Sequence, residues 1–179
     1  MPEFNIIVAM DEKQGIGYQG RLPWKLPADL KYFKTVTTST SAAGERNAVV
    51  MGRKTWESIP EEYRPLAGRI NVVLTKNPAL LLPAGVLKFA DFGQCVDGLR
   101  KGIGRLKVEK AFFIGGEAVF IEALDLPFCR KIYLTQIFKT FSCDVFFPLF
   151  KDKFELVASL ARASDHSLEY QFQEFHRKS

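Results

Sequence analysis

The chain has 179 residues and a formal net charge of +5, with 47% hydrophobic and 25% charged residues. This composition excludes a disordered or fibrous protein, and the length suits a single domain, 1–179, with a sizeable core. There is no basic and apolar leader and no apolar run near the ~20 residues of a membrane helix, so we expect no secretory signal and no membrane span. Positive charge is interspersed with acids, which favours a solvated surface over a nucleic-acid-binding face.

In the first third of the chain, the apolar run Asn5–Met10 predicts a buried strand. Residues 11–23 are rich in glycine and lack periodicity, which predicts a long mobile loop that can serve as a lid. Pro27 opens the first helix. The apolar stripe of that helix consists of Leu26, Leu30 and Phe33. The small and polar stretch Thr38–Gly44 predicts a loop.

In the middle third, the predicted strand Ala48–Met51 leads into a short helical run, Thr55–Ile59. Two further apolar runs predict the strands Ile70–Leu74 and Val86–Ala90. A helix follows Ala90, because apolar residues recur there at helical spacing. These residues are Phe92, Cys95, Val96 and Leu99.

In the last third, Ala111–Ile114 and Lys131–Ile137 are predicted strands, and a helix begins after Gly115-Gly116. Apolar and polar residues alternate from Leu168 to Gln173, which predicts a half-exposed antiparallel strand. Continuous apolar strands are typical of a parallel sheet that is covered on both faces. We therefore predict an α/β fold with a mostly parallel central sheet, an antiparallel C-terminal strand and flanking helices.

The cysteines and histidines favour neither a disulfide frame nor a metal site. Cys95, Cys129 and Cys143 are odd in number and far apart, which is typical of reduced thiols in a cytoplasmic protein. His166 and His176 stand apart from any cluster of cysteine or carboxylate ligands. No metal is therefore expected.

Asp29 lies in the first turn of the predicted first helix, beside its apolar stripe. The helix dipole alone favours an acid at this position. The functional alternative is a carboxylate at the edge of an apolar pocket, which holds a planar N–C–N group through two parallel hydrogen bonds. When the residue is considered alone, the helix start is the favoured explanation, and the functional one stays open.

Three strand ends carry glycines or cations that suit phosphate groups. Gly52-Arg53-Lys54-Thr55 and Ile114-Gly115-Gly116-Glu117 each join a strand to a helix, and helix N–H groups attract anions. Thr75-Lys76 ends a third strand in a similar way. Each segment is also compatible with an ordinary turn, and the junction at Gly115-Gly116 is not the GxGxxG fingerprint of the common dinucleotide fold.

Two more polar side chains indicate contacts with buried or charged groups. Arg69 is a rigid five-donor fork that suits a carboxylate, although a surface arginine at a strand start is the favoured explanation when the residue is considered alone. Thr135 lies inside an apolar strand, where an unpaired hydroxyl costs free energy. We therefore expect Thr135 to bond a buried partner.

The amino-acid sequences of these segments, and their order along the chain, resemble those of the dihydrofolate reductase family. The similar motifs are Ile7-Val8-Ala9, Gly15-Ile16-Gly17, Leu22-Pro23-Trp24, Leu26-Pro27-Ala28-Asp29-Leu30, Met51–Pro60, Arg64–Asn71, Ile114-Gly115-Gly116 and Asp144–Pro148. They extend from Ile7 to Pro148, and so many motifs in one order are not expected by chance.

The resemblance implies NADPH as the cofactor, bound in a groove between two subdomains of a twisted sheet. The implied cofactor contacts are Ala9, Ile16, Gly17, Gly52, Arg53, Lys54, Thr55, Thr75, Lys76, Ile114, Gly115, Gly116, Glu117, Ala118, Val119 and Phe120. Arg53, Lys54, Thr75 and Lys76 would face the 2′-phosphate side. In this family the peptide between the two glycines is typically cis.

The resemblance also implies reduction of 7,8-dihydrofolate by hydride transfer to C6 and protonation at N5, with antifolates as inhibitors. Asp29 is the implied catalytic residue, which anchors the pterin while a water beneath the gating loop donates the proton. The implied substrate contacts are Ile7, Val8, Leu30, Phe33, Ile59, Arg69 and Thr135. Burial should raise the pKa of Asp29. We expect a monomer without a fused thymidylate synthase segment.

The chain departs from the family pattern after the glycine pair. Phe120 stands where the family often has tyrosine, so no hydroxyl is available there. Glu117 and Ala118 stand where some bacterial members carry a cation, which leaves Arg53 and Lys54 a larger share of the preference for NADPH.

Two alternatives to this function are kept. One is a related NADPH-dependent reductase of a pyrimidine intermediate, which would not need Asp29 and Arg69 together. The other is a catalytically silent nucleotide- or nucleic-acid-binding module, against which the interspersed charge argues.

Overall fold

The computed structural model describes residues 1–102 and 107–179. In chain order its strands are β1 (Glu3–Met10), β2 (Gly15–Gly17), β3 (Arg46–Gly52), β4 (Ile70–Leu74), β5 (Leu87–Phe89), β6 (Val108–Gly115), β7 (Cys129–Ile137), β8 (Val145–Phe146), β9 (Phe154–Ser159), β10 (Ala163–Asp165) and β11 (Leu168–Arg177). The α-helices are α1 (Pro27–Thr38), α2 (Arg53–Ser58), α3 (Phe92–Lys101) and α4 (Glu117–Asp125), and Glu61–Tyr63 forms a 3₁₀ turn.

Among these residues, nine strands form one sheet in the order β10-β11-β7-β1-β6-β3-β4-β5, with β9 also paired to β11. The neighbours from β7 to β5 run parallel to one another. In contrast, β11 is antiparallel to β7, β9 and β10. The predicted mostly parallel sheet with an antiparallel C-terminal strand is therefore confirmed.

The two faces of the sheet are covered by different helices, because side chains alternate along each strand. The side chains of Ile6 and Val8 pack with α3 and α4, and that cluster contains Phe113 from β6. Ile7 points to the opposite face and packs with Phe33 of α1. The four apolar residues predicted for the helix after Ala90 are the buried residues of α3.

The structure corrects three local predictions. Residues 11–23 are not entirely irregular, since they contain β2, which pairs with β8. The second helix begins at Arg53 rather than Thr55, so both cations of that segment lie in its first turn. Leu30 belongs to the predicted apolar stripe of α1, but its side chain is 57% exposed.

No helix in the described part of the chain has the length and apolarity needed to cross a membrane.

Phe113 is fully buried in the larger core cluster, where its ring stacks on both Phe4 and Phe92. We expect Phe113→Ala to lower the free energy of unfolding by about 3–5 kcal/mol, since it removes a large buried ring and leaves a cavity. Urea denaturation measures the change. Leu81→Ala is the control, because Leu81 is 92% exposed, and an equal loss in both variants would contradict the assignment of Phe113 to the core.

Candidate active site

Several of the predicted site residues lie at the carboxyl edge of the parallel strands. Gly52 ends β3, Gly115 ends β6, and Thr75 follows β4. Parallel strands end at the same edge of a sheet, and this edge is where ligands bind in open α/β folds. Because Ala9 of β1 pairs with Thr135 of β7, both lie near this edge as well.

Asp29 is held in the first turn of α1 against β7. Its Oδ1 accepts a hydrogen bond of 2.6 Å from the Thr135 hydroxyl, and both residues are buried. The backbone N–H of Ala28, one residue earlier, donates to Asp165 at 2.9 Å. Burial raises the pKa of Asp29, and the hydrogen bond from Thr135 offsets only part of that rise. The side chain thus retains a proton more readily than an aspartate in water.

Arg69 is held in a fixed position across the face of Phe33. Its Nη1 donates to the Thr37 hydroxyl at 2.9 Å, its Nε donates to the Ala67 carbonyl at 3.0 Å, and its Cζ lies 5.6 Å from the Phe33 ring centre. Burial lowers the pKa of Arg69, although a guanidinium keeps its charge in proteins. Sequence reasoning missed Thr37, because a threonine near the end of a helix carries no signal of a partner in another segment.

The residues predicted to line the pterin pocket differ in what they offer a ligand. Ile7 is buried, and Phe33 and Ile59 are half-buried in the same cluster. Leu30 directly follows Asp29 and presents exposed apolar surface. The side chain of Val8 packs in the core on the other face of the sheet, so only its backbone can border this pocket.

The ends of β3 and β6 pack closely, most tightly at Gly115. A Cβ on Gly52 would lie 3.7 Å from the backbone N of Gly116, and one on Gly115 would lie 3.2 Å from the Thr55 hydroxyl. Gly115 has a φ of 126°, which side chains rarely adopt, and the Gly115-Gly116 peptide is cis as the resemblance implied. We call the meeting point of Gly52, Gly115 and Gly116 the glycine cleft, because these residues have no side chains and their backbone permits the close approach of a dinucleotide.

The N-terminus of α4 opens on the same cleft. Gly116 caps this helix without a side-chain hydrogen bond, so the first N–H groups of α4 are available to a ligand. Glu117 and Ala118 are exposed. Val119 and Phe120 are buried beneath the glycines, where Phe120 Cε2 would lie 3.6 Å from a Cβ on Gly115.

The predicted phosphate-binding cations are arranged unequally. Arg53 binds Glu57 of its own helix through two hydrogen bonds of 2.8 and 2.9 Å. Lys54 and Lys76 are exposed, and neither forms an ion pair with any residue in 1–102 or 107–179. The hydroxyl of Thr75 accepts a hydrogen bond from the N–H of Asn77 at 3.1 Å. These two lysines are therefore the available cations of this group.

The glycine-rich segment after β1 is anchored by a residue that sequence reasoning missed. The buried carboxylate of Asp11 accepts hydrogen bonds from the N–H groups of Gly15 at 2.7 Å and Phe141 at 2.9 Å. The predicted cofactor contacts Ile16 and Gly17 lie in β2 directly after this anchor. An acid next to a glycine-rich segment was the available signal, but its bond to Phe141 depends on the fold.

Within the residues that the structure describes, no group of three His, Cys, Asp or Glu is placed to hold a metal.

The residue pattern that defines the dihydrofolate reductase family matches residues 3–177. The chain is 42% identical to a dihydrofolate reductase of Heliothis virescens and 43% identical to one of Drosophila melanogaster, over 87% and 88% of its length and 84% and 86% of theirs. It is 46% identical to a bifunctional dihydrofolate reductase-thymidylate synthase of Glycine max, over 81% of the chain. The chain covers 28% of that bifunctional relative. The chain belongs to the dihydrofolate reductase family.

Replacement of Asp29 by asparagine should reveal what burial of this acid costs the fold. Because the pKa of Asp29 is raised, its contribution to stability is full below the ordinary aspartate pKa of about 3.9 and is lost as pH rises through the higher folded value. Since the asparagine side chain cannot ionise, the unfolding free energy of Asp29→Asn relative to wild type should increase from acid to neutral pH.

Urea denaturation across that pH range measures this difference. Asp97→Asn is the matched control, because Asp97 is exposed on α3. A difference between Asp29→Asn and wild type that does not change with pH would contradict a buried, proton-retaining Asp29.

Proposed function

We propose that this chain reduces 7,8-dihydrofolate to 5,6,7,8-tetrahydrofolate with NADPH, and so supplies one-carbon metabolism. The observation that carries the proposal is the buried Asp29–Thr135 pair, with Oγ1 and Oδ1 2.6 Å apart, at the same sheet edge as the glycine cleft. Membership of the dihydrofolate reductase family supports it. The dihydrofolate reductases of two insects, similar over most of their own length, add to that support.

Asp29 suits the N–C–N edge of a pterin. A carboxylate offers about four lone-pair sites on two oxygens, so Oδ1 can accept from Thr135 and still accept from a ligand. The 2-amino group and N3–H of the pterin would donate to the two oxygens in parallel. Apolar surface from Leu30, Phe33 and Ile59 would cover the rings and exclude water, which strengthens these bonds.

Arg69 suits the α-carboxylate of the glutamate tail. Thr37 and Ala67 hold the guanidinium on one side. In residues 1–102 and 107–179, Nη2 donates to no protein acceptor, so it can join Nη1 in a two-point contact with a carboxylate. The two polar anchors thus select a molecule with a planar amidine-like edge and a distant anionic end.

The glycine cleft suits NADPH, which supplies a hydride from its nicotinamide when bound. Gly52, Gly115 and Gly116 permit close backbone contact, and the N–H groups of α4 attract phosphate oxygens. Lys54 and Lys76, together with Arg53 and Thr75, would face the additional 2′-phosphate.

Each reduction takes up one proton at N5 of the pterin. Asp29 anchors and polarises the ring from its N–C–N edge. The immediate donor would be a water beneath the segment that Asp11 anchors.

We further propose a single domain, 1–179, that acts as a cytoplasmic monomer and binds planar antifolates through Asp29. The central sheet runs from Glu3 in β1 to Arg177 in β11, which supports one domain. The three cysteines are free, which suits a reducing compartment.

Loss of NADPH absorbance on addition of dihydrofolate tests the activity. Asp29→Asn should lower the rate by about 10²–10⁴-fold at neutral pH, because it removes an acid–base group. The variant should still bind NADPH, measured by quenching of protein fluorescence. Near-normal turnover of the variant would contradict the role of Asp29, and wild-type protein that binds NADPH but leaves dihydrofolate unchanged would favour a related reductase.

Lys54→Gln should weaken NADPH binding by about tenfold while NADH binding changes little, since one charge-assisted hydrogen bond to the 2′-phosphate is lost. The ratio of the two dissociation constants is the measurement. Lys151→Gln is the matched control, because Lys151 is exposed and follows β8, outside the residues of the glycine cleft. An equal loss for NADH and NADPH would remove Lys54 from the 2′-phosphate site.

A further inference from the structure

The first turn of α2 borders the glycine cleft. A Cβ on Gly52, the residue before α2, would lie 3.7 Å from the backbone N of Gly116, and a Cβ on Gly115 would lie 3.2 Å from the hydroxyl of Thr55. Arg53 stands between these two contacts in the chain, and its side chain is 42% exposed. An arginine at this position is placed to meet an anionic group of a ligand in the cleft.

Glu57 holds the side chain of Arg53 from the last turn of the same helix. Its Oε1 and Oε2 lie 2.9 and 2.8 Å from Arg53 Nη1. Both oxygens meet this one nitrogen, and in residues 1–102 and 107–179 neither Nε nor Nη2 of Arg53 donates to a protein acceptor. The guanidinium therefore keeps donors for a second anion, but that anion has to share the positive charge with Glu57.

The stability of α2 does not explain this ion pair. A helix dipole favours an acid at the N-terminus and a cation at the C-terminus, and Arg53 and Glu57 stand in the opposite order. An ion pair as exposed as this one also contributes little to folding. Lys54 and Lys76 have no such partner in the described part of the chain. The pair therefore changes the charge that α2 offers to a ligand more than it changes the helix.

We propose that Glu57 is a specificity-determining residue for the cofactor: it shares Arg53 with the 2′-phosphate of NADPH, and so lowers the preference for NADPH over NADH. Both possible responses of Arg53 lead to this result. If Arg53 stays on Glu57, the phosphate meets a partly neutralised cation. If Arg53 turns to the phosphate, its bonds to Glu57 are lost. This inference rests on the proposed function, in which Arg53 faces the 2′-phosphate.

The 2′-phosphate is the same in NADPH and in NADP⁺, because hydride transfer does not alter it. A contact with this phosphate therefore strengthens the binding of cofactor and product alike, and such uniform binding does not accelerate the chemical step. Tighter binding also slows the release of product, which limits turnover in many enzymes. By weakening the contact of Arg53, Glu57 favours the release of NADP⁺.

Glu57→Gln tests the proposal, because it removes the charge and keeps the length of the side chain. Calorimetric titration with adenosine 2′,5′-bisphosphate and with adenosine 5′-phosphate measures the 2′-phosphate contact without turnover. The variant should bind the bisphosphate about two- to fivefold more tightly, the range of an exposed ion pair, and the 5′-phosphate unchanged. High salt should reduce this gain, since ions screen exposed charges. NADPH and NADH should show the same contrast.

Two comparisons separate this effect from a general change in charge or structure. Glu62→Gln is the matched control, because Glu62 is an exposed acid in the neighbouring 3₁₀ turn and forms no ion pair within the described residues. It should leave both dissociation constants unchanged. In an Arg53→Gln background, Glu57→Gln should give a smaller gain, since the shared cation is gone.

A Glu57→Gln variant that binds the bisphosphate no more tightly than wild type would overturn the proposal, as would an undiminished gain in the Arg53→Gln background. If wild-type protein bound the bisphosphate and the 5′-phosphate equally well, the proposed preference for NADPH would be wrong, and the role of Glu57 with it. If wild-type protein preferred the bisphosphate but did not reduce dihydrofolate, only the proposed reaction would be wrong. The calorimetric titrations would then still decide whether Glu57 weakens the phosphate contact.

Discussion

The hydrogen bond between Thr135 and Asp29, 2.6 Å long and buried, joins the first turn of α1 to β7. It partners both polar groups in an environment where an unpaired one would be costly. Because α1 is anchored at this point, its next turns place Tyr32 over Phe172, and Phe33 packs beside Arg69. The positions of Asp29 and Arg69, the two polar groups of the candidate substrate site, therefore depend on how α1 is attached to the sheet.

The glycine side of the candidate site is shaped by close backbone packing rather than by hydrogen bonds between side chains. Met51 pairs with Gly115, which brings the carboxyl ends of β3 and β6 side by side. At these ends a Cβ on either Gly52 or Gly115 would contact the neighbouring segment. The cleft is consequently a backbone surface on rigid strands, and rigid elements hold a ligand more accurately than free loops. Asp11 extends this order to the segment that contains β2.

The buried acid Asp29, which we propose to be catalytic, opposes the stability of the fold when it is ionised. Burial raises the pKa of Asp29, which means that its ionised form is disfavoured in the native state. Glu174 illustrates the opposite solution, since Lys131 and His176 compensate its charge.

Much of the fold and part of the site could be predicted from the sequence. Apolar spacing gave the buried face of α3 and the bounds of β4, because periodicity is a local property of the chain. Motif order pointed to the family, and through it to Asp29, Thr135 and the glycine pair, as well as to the cis peptide. Short elements such as β2 and β8 lack a period long enough to detect, and their pairing stabilises them only in the fold.

Partners distant in the chain were decided by the tertiary structure alone. The sequence showed Thr37 and Arg69 as separate residues, 32 positions apart, and their bond exists only because α1 packs beside the start of β4. Leu30 fits an apolar stripe, yet it is exposed because the stripe is wider than the contact between helix and sheet. Glu174 carries no local signal, since its bond with Lys131 arises from the antiparallel register of β11 with β7. Periodicity along one segment determines which face it buries, whereas only the packing of segments determines which side chains meet.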